Sequence, residues 1–296
     1  IEVANSDAKI SGGLNAQNIN FSNANNPTTL TLNAASNVTN VTTAGNKTHT
    51  IAVTDFTANG AIGTDTNKLK SIELLGNGLV NINTDKFYSG VTTANNGQGN
   101  VKLNIDGASS YDLGSSGKSL ASVQFSGNNT VKGDLYAGNV NIDAGKTVTF
   151  DRGTNNTNPK TLNLPNAIVD GTPLPRSLQL FTYLTDVAAS NFNFVDSTSS
   201  AEFKDTVLVN TPINNGGTIK FDQNVWFKEE VKNVQRLEFS PNTYVILEKN
   251  IQAGTLIADK AKLILTANSV LEGDLNVTDA ILDLANYELK HTGNVT

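Results

Sequence analysis

Leu237 to Gly254 read LEFSPNTYVILEKNIQAG, and Ile72 to Gly90 read IELLGNGLVNINTDKFYSG. The two stretches align from end to end with one residue of slippage, and Val80 then meets Val245. A third copy begins at Val123 and reads VQFSGNNTVKGDLYAG. The recurrence of one pattern indicates an internally repeated architecture, in which each repeat buries its apolar face against its neighbours.

Short apolar runs alternate with polar residues throughout the repeats and are separated by Gly, Asn or Asp. In the C-terminal part these runs lie at Leu237–Phe239, Tyr244–Leu247, Leu256–Ala258, Leu263–Leu265, Leu275–Val277 and Ile281–Leu284. Period-two alternation in runs of this length is typical of strands. Three such runs would make one coil of roughly 20 to 27 residues. The sequence therefore predicts an all-β fold, a right-handed parallel β-helix (solenoid) with an irregular insertion near the middle.

The tripeptide Gly-Asp-Leu occurs at Gly133-Asp134-Leu135 and again at Gly273-Asp274-Leu275. Glycine and aspartate suit a tight corner, and the leucine would enter the core. The first copy, preceded by Lys132, also resembles an integrin-type tripeptide, but Glu272 stands at the equivalent place in the second copy. We therefore interpret both copies as the same corner of two different coils.

The predicted domain organisation has three parts. Regular β-helix coils are expected over 1–150 and over 219–296, and an irregular insertion or break in the stack is expected over 151–218. Four of the seven prolines fall between Pro159 and Pro175, and Ser177–Phe192 is the best candidate helix. Loops on a rigid scaffold often carry function, so this insertion is one candidate binding surface, with an irregular loop without a partner as the alternative.

The composition argues against several classes of function. A net charge of -6 with 16% charged residues argues against a nucleic-acid surface, and the absence of cysteine excludes disulfides and thiolate metal sites. Only His49 and His291 occur, and neither suggests a Ser-His-Asp arrangement. We predict no enzyme, no catalytic, cofactor or metal site and no cofactor; the partner-binding residues stay unknown.

Two groups of residues are candidates for a site. The densest acidic neighbourhood holds Asp205, Asp222, Glu229 and Glu230. Acids of this kind could serve a glycan-processing β-helix enzyme, but solvated acids are the favoured interpretation. A second group, the aromatics Phe221, Trp226 and Phe227, is expected to pack in the core, with an exposed recognition anchor as the alternative.

Cysteine-free, Asn/Thr/Gly-rich repeats such as VQRLEFSPNTYVILEKNIQAGTLIADKAKLILTANSVLEGDLNVTDAILDL resemble the passenger domains of type V autotransporters. Their sequence pattern is similar to that of rickettsial outer-membrane surface cell antigens of the OmpB-like family, most clearly over 120–150 and 234–290. The resemblance implies a secreted β-helix that a C-terminal translocator barrel carries to the exterior of the outer membrane. That barrel is expected to lie outside this fragment. The family supplies no catalytic motif, and therefore no site residues are transferred.

The resemblance also implies a function in virulence, namely adhesion to and invasion of host cells through a host cell-surface protein. Two alternatives stay open. The chain could be a structural surface-layer protein that associates laterally with itself, or, less favoured, a β-helix glycan-processing enzyme.

Overall fold

The structure is a computed structural model and describes most of the chain. The described residues are 1–109, 111–115, 117–151, 168–169, 172–173, 187–194, 196–204, 206–209, 212–284 and 286–296. All regular secondary structure in them is β-strand, and parallel pairing stacks these strands into the coils of a β-solenoid, about 12 turns in all. The predicted all-β parallel β-helix is thereby confirmed.

The chain divides into two compact units. Unit 1 holds residues 1–141 and 186–189, and unit 2 holds residues 142–185 and 190–296. The strands up to residue 142 are β1 (Glu2–Val3), β2 (Ala8–Ile10), β3 (Asn15–Phe21), β4 (Thr29–Leu32), β5 (Ser36–Thr43), β6 (Thr50–Val53), β7 (Phe56–Ala58), β8 (Ser71–Leu74), β9 (Leu79–Ile82), β10 (Gly90–Thr93), β11 (Asn100–Leu103), β12 (Gly107–Ser109), β13 (Leu120–Phe125), β14 (Asn129–Val131) and β15 (Leu135–Ile142).

Strands in unit 1 pair in parallel with the strand one coil further along the chain. In the sheet β2-β4-β6-β8-β10, Ile51 pairs with Ile72 in the next coil. On a second face, where β9, β11 and β13 follow one another, Val101 pairs with Val123 in the next coil. These valines and isoleucines are buried, whereas Glu73 and Lys102, which directly follow Ile72 and Val101, are partly exposed, as the period-two pattern predicts.

The strands after residue 142 continue the numbering. They are β16 (Thr147–Phe150), β17 (Ile168–Val169), β18 (Thr172–Pro173), β19 (Val187–Phe194), β20 (Ser200–Phe203), β21 (Val207–Val209), β22 (Ile213–Asn214), β23 (Thr218–Phe221), β24 (Val225–Phe227), β25 (Val231–Phe239), β26 (Tyr244–Leu247), β27 (Ile251–Asp259), β28 (Lys262–Leu265), β29 (Ser269–Thr278), β30 (Ile281–Asp283) and β31 (Leu289–Thr292). Except for the short antiparallel pair β17–β18, the recorded strand pairs of unit 2 are parallel.

Coils in unit 2 are shorter than those in unit 1. Leu237 pairs with Leu256 of the next coil, and Leu256 pairs in turn with Leu275. This spacing lies just below the range that the sequence predicts. The core holds a column of phenylalanines, one from each of four successive paired strands, and Ala258 follows Phe239 in the next coil. Neighbouring rings of Phe150, Phe203, Phe221 and Phe239 are stacked with centroid separations of 4.8, 5.0 and 5.8 Å.

Asparagine and aspartate at the corners link one coil to the next. The side-chain Oδ1 of Asp55 accepts the backbone N–H of Leu79 at 2.9 Å, and the Oδ1 of Asn224 accepts that of Tyr244 at 2.8 Å. Both bonds reach one coil ahead and satisfy an amide at a corner, where strand pairing is interrupted. The Asn-rich composition therefore has a structural cause, because these short side chains supply hydrogen bonds that the corners need.

The first Gly-Asp-Leu tripeptide lies in the corner between β14 and β15, as predicted. The second lies within strand β29, at a break in the β27–β29 register. The two are therefore not the same corner: Leu135 pairs with Leu113 on the face of β8 and β10, whereas Leu275 pairs with Leu256. A Cβ on Gly133 would lie 2.2 Å from the carbonyl oxygen of Tyr111, and one on Gly273 would lie 1.6 Å from that of Ala253. Only glycine permits this approach between coils. The following Leu135 is fully buried.

Three further predictions differ from the structure. The first is the alignment of the third copy: Val123 stacks through Val101 onto Val80, so this copy is in line with the second run of the first copy. The strand–corner–strand pattern occurs more than once in each coil, and sequence alignment therefore cannot tell one face from another.

The other two differences concern the middle of the chain. Of the candidate helix, residues 187–192 lie in strand β19, which is consistent with the poor helix propensity of aromatic and β-branched residues; the rest lies outside the described residues. Regular parallel pairing is already present within the predicted break at 151–218, because β20 pairs with both β16 and β23. Much of the predicted insertion also lies outside the described residues.

Candidate functional site

The corners of unit 1 differ in length, and this difference forms a cleft. After the bridging residue Ile62 the chain takes residues 63–70 to reach β8, whereas after Phe87 only two residues precede β10. The carbonyl of Tyr88, in the short corner, accepts the backbone amide of Leu69 in the neighbouring coil at 3.0 Å. The short corner therefore lies recessed beside its longer neighbour. The cleft has a volume of about 170 Å³.

One wall of the cleft is basic. Lys68 and Lys70 flank the buried Leu69, so both side chains leave the same side of the chain. The backbone amide of Lys47 donates to the carbonyl of Lys68 at 2.7 Å, which places Lys47 one coil earlier on the same wall. Asp65 lies 3.6 Å from Lys68 and is largely exposed. In the part of the chain that the structure describes, Lys47 and Lys70 have no salt-bridge partner.

The floor and the opposite wall combine aromatic and acidic groups. Phe87 is buried and packs edge to face on Tyr111, with ring centroids 4.8 Å apart. Tyr88 is half-buried and borders the open space. Asp112 is exposed, and its Oδ1 accepts the backbone amide of Asp134 at 2.9 Å, which orients the carboxylate. The cleft therefore offers cationic donors, carboxylate acceptors and an aromatic surface within one small volume.

A compact ion-pair cluster lies on the outer surface of β20 and β23 in unit 2. Lys204 Nζ lies 2.6 Å from Glu202 and 2.7 Å from Asp222, and Lys220 Nζ lies 3.0 and 2.9 Å from the same carboxylates. Ser240 donates a further hydrogen bond to Asp222 at 2.8 Å. Each lysine therefore bridges two neighbouring coils.

The cluster shifts the pKa of every member. Burial alone would raise the pKa of Asp222, but hydrogen bonds from Lys204, Lys220 and Ser240 outweigh it and lower the pKa to about 2. Burial would likewise raise the pKa of Glu202, but hydrogen bonds from Lys204 and Lys220 outweigh it and lower that pKa. Hydrogen bonds to Asp222 and then to Glu202 raise the pKa of both lysines. All four groups are held in their charged forms, which suits a structural clamp better than proton transfer.

Of the four acids that lie close together in the sequence, the structure describes Asp222, Glu229 and Glu230, and it records no pairing among these three. Asp222 belongs to the ion-pair cluster, and Glu230 forms a salt bridge with Lys232. Glu229 is half-buried, and Asp205 lies outside the described residues. The structure therefore brings Asp222 beside lysines instead of beside the other acids.

Both histidines hold the backbone of a neighbouring coil. His49 is fully buried in unit 1, where its Nε2 donates to the carbonyl of Asn23 at 2.6 Å and its Nδ1 accepts from the hydroxyl of Thr28 at 2.7 Å. Its ring stacks on Phe21. His291, in unit 2, lies 2.9 Å from the carbonyl oxygen of Gly273. His49 directly precedes β6, whereas His291 lies within β31.

The aromatic group at 221–227 packs as predicted. Phe221 and Phe227 are fully buried and touch edge to face, with centroids 5.4 Å apart. Trp226 points to the other side of its strand and is still only 8% exposed, with Lys228 over its ring. None of the three is an exposed recognition anchor.

Comparison with known proteins finds no match among protein-family models, among curated proteins or among solved structures. Within the described ranges, no three His, Asp or Glu side chains are grouped so as to hold a metal ion. Over the same ranges, no helix has the length and apolar character that a membrane span requires.

Sequence reasoning missed the lysines of the cleft. Lys47 and Lys68 stand at the same spacing in the chain as the paired residues Ile51 and Ile72, so knowledge of the coil length would have placed them together. The second signal is the difference between the two corner lengths. Both signals become readable only after the strand register is known.

Proposed function

We propose that this chain is the surface-exposed passenger of an autotransporter and that it acts as an adhesin in contact with host cells. The observation that supports the proposal most is the cleft with its lysines and aromatic residues, which is built into a stacked solenoid. A stacked array holds such a surface on a rigid scaffold, because every coil is fixed by its neighbours. The proposed location is the exterior of the bacterial outer membrane, and the proposed partner is a molecule, expected to be a protein, on the host cell surface.

The residues on the outer faces of the coils are suited to binding in which each single contact is weak. Asn is the most frequent exposed residue among them, and its amide offers hydrogen bonds but little apolar area. Many copies on one cell would then bind through avidity, since each further contact forms at a high effective concentration. The predicted binding surface within 151–218 stays a prediction.

Adhesion can be measured with beads that carry the full chain on cultured mammalian cells. Beads that carry an unrelated β-solenoid of similar charge serve as the control. We expect saturable adhesion that the soluble chain competes away. Adhesion no greater than that of the control beads would refute the adhesin proposal.

A structural surface-layer protein is the second candidate, and the amide ladders of unit 1 favour it. Asn83 Nδ2 donates to Asn59 Oδ1 at 2.9 Å, and Asn104 Nδ2 donates to Asn83 Oδ1 at 2.8 Å. Such a ladder repeats one set of donors and acceptors from coil to coil, and a second copy could match it. Sedimentation velocity tests this function: a surface-layer protein should associate with increasing concentration, and a chain that stays monomeric would exclude it.

A further inference from the structure

We infer that the cleft of unit 1 binds an anionic sugar residue, a uronic acid or a sulfated sugar within a host-surface glycan. This inference rests on the proposed function only for the source of the glycan. The binding chemistry follows from the cleft itself, through its charge, its size and its mixture of groups.

The charge of the cleft differs from that of the whole chain. Three lysines line it against two aspartates, whereas the chain as a whole carries a net charge of -6. Ammonium groups bind sulfate or carboxylate through charge-assisted hydrogen bonds, which are stronger than neutral ones. Lys47 and Lys70 have no salt bridge within the described part of the chain, so both ammonium groups remain available to an anion.

The two aspartates distinguish a sugar acid from a simple anion. Phosphate or sulfate alone would be repelled by Asp65 and Asp112, which border the same space. A sugar acid carries hydroxyl groups beside its anionic group, and those hydroxyls can donate to the carboxylates while the lysines hold the charge. The mixed lining therefore fits a ligand that has both an anionic group and neutral donors.

The size of the cleft and its aromatic lining fit one sugar ring of a longer glycan. Its volume of about 170 Å³ is below the roughly 300–1,000 Å³ of pockets that enclose a drug-sized ligand. Tyr88 is half-buried and lines the cleft, so its ring would supply a flat apolar surface for the C–H face of a sugar ring. Exposed residues at the rim, among them Lys70 and Asp112, leave room for the glycan to continue into solvent.

Isothermal titration calorimetry of the full chain tests the inference with heparin oligosaccharides, hyaluronan oligosaccharides and neutral dextran. Binding of either acidic glycan but not of dextran is expected. Heparin alone would indicate sulfated sugars, and hyaluronan as well would indicate carboxylates. The binding should weaken with added salt, because the contacts lie near the surface. Failure of both acidic glycans to bind would overturn the inference, as would equal binding of dextran.

A matched pair of variants places the site. The cleft variant Lys47→Gln/Lys68→Gln/Lys70→Gln should bind at least roughly tenfold more weakly, since it loses all three cationic donors. The control variant Lys9→Gln/Lys249→Gln/Lys290→Gln removes the same charge from exposed positions outside the cleft and should bind like the parent. An equal loss in both variants would mean a non-specific charge effect and would refute the site. A circular dichroism melt of each variant confirms that it is folded.

A single variant tests the aromatic floor, and vesicles test the class of ligand. Tyr88→Ala keeps every charge and should weaken binding several-fold, since the sugar ring loses the flat apolar surface on which it rests. Unchanged binding would refute the contact between the sugar ring and Tyr88. Competition by vesicles of anionic phospholipid would indicate a membrane surface and would overturn the sugar assignment.

The calorimetry separates this inference from the proposed function. Glycan binding with no cell adhesion would refute the adhesin proposal alone. Cell adhesion without glycan binding would refute the inference alone.

Discussion

Unit 1 and unit 2 use the same strands and corners but differ in coil length and in core. One coil leads from Ile51 to its partner Ile72 in unit 1, whereas the shorter coil of unit 2 leads from Leu237 to its partner Leu256. The core of unit 2 contains a stacked column of phenylalanines, whereas aliphatic residues dominate the paired strands of unit 1.

The comparison teaches where a solenoid can carry a binding surface. Inward-facing positions are mostly apolar, because they pack against the same position of the neighbouring coils. Neither unit can therefore place a binding residue at these positions. In unit 1 the additional residues lie in corners, such as 63–70, and the uneven corner lengths form the cleft. In unit 2 the shorter coils carry an ion-pair cluster that links neighbouring strands. We therefore expect the cores to set stability, and we propose that the corners carry recognition.

The largest expected effect comes from the phenylalanine column. Phe221→Ala removes a fully buried ring between Phe203 and Phe239 and should destabilise unit 2 by about 3–5 kcal/mol. The matched change in unit 1, Val101→Ala, should cost about 2 kcal/mol, because it removes two methyl groups. Denaturant titration followed by the fluorescence of Trp226, the single tryptophan, reports unit 2 directly. Equal effects of the two variants on that transition would contradict the larger contribution assigned to the phenylalanine column.

A pair of glycine variants tests the close approach of coils in unit 1. A Cβ on Gly78 would lie 1.5 Å from the carbonyl oxygen of Thr54, whereas one on Gly76 would meet nothing within 4 Å. Gly78→Ala should therefore destabilise by about 2–3 kcal/mol. Gly76→Ala should be neutral within about 0.5 kcal/mol. Circular dichroism melts measure both, and similar melting temperatures would refute the close approach at Gly78.

The ion-pair cluster predicts a pH dependence that belongs to unit 2. The pKa of Asp222 is lowered from 3.8 to about 2, so the stability it contributes is present above about pH 4 and is lost as the pH falls toward 2. Asp222→Asn should cost about 1–2 kcal/mol at neutral pH, since it removes two half-buried ion pairs. The variant and the parent should approach each other in stability near pH 2.

Denaturant midpoints from Trp226 fluorescence between pH 2 and pH 7 check this dependence. Asp85→Asn, at an exposed carboxyl of unit 1, is the control and should leave the midpoint unchanged. If the denaturant midpoints of Asp222→Asn and the parent differed by the same amount at every pH from 2 to 7, the ion-pair cluster would be ruled out as the source of the pH dependence.

The smallest effect is expected in the amide ladder of unit 1. Asn83→Ala removes one hydrogen bond to Asn59 and one from Asn104, both exposed, and should cost about 0.5–1 kcal/mol. Asn81→Ala changes an outward residue of β9 outside the ladder and should cost less. Thermal melts of the two variants give the comparison, and a larger loss for Asn81→Ala would exclude a stabilising ladder.

Much of the fold could be predicted from the sequence, because its signals are local. Alternation at Leu237–Phe239 and Tyr244–Leu247 predicts strands β25 and β26, and Gly133-Asp134-Leu135 predicts a corner. The second copy of that tripeptide lies inside β29, because a glycine can serve a register break in a strand as well as a corner. The register could not be predicted, since one pattern occurs on more than one face of a coil. The misplaced copy at Val123 follows from that degeneracy.

The site could not be predicted for a related physical reason. Lys47, Lys68 and Tyr88 come together only because coils stack, and each stands alone in the linear sequence. Asp222 illustrates the same limit: the sequence shows acids near it in the chain, whereas the stack places Lys204 and Lys220 against it. Contacts across coils decide the chemistry in both cases.

The most direct test is the adhesion to mammalian cells of beads that carry the full chain, the Lys47→Gln/Lys68→Gln/Lys70→Gln variant or the Lys9→Gln/Lys249→Gln/Lys290→Gln control. The account predicts saturable and equal adhesion for the full chain and the control, and a strong loss for the cleft variant. Equal adhesion of all three would contradict the assignment of recognition to the cleft, and no adhesion by any of them would contradict the adhesin function.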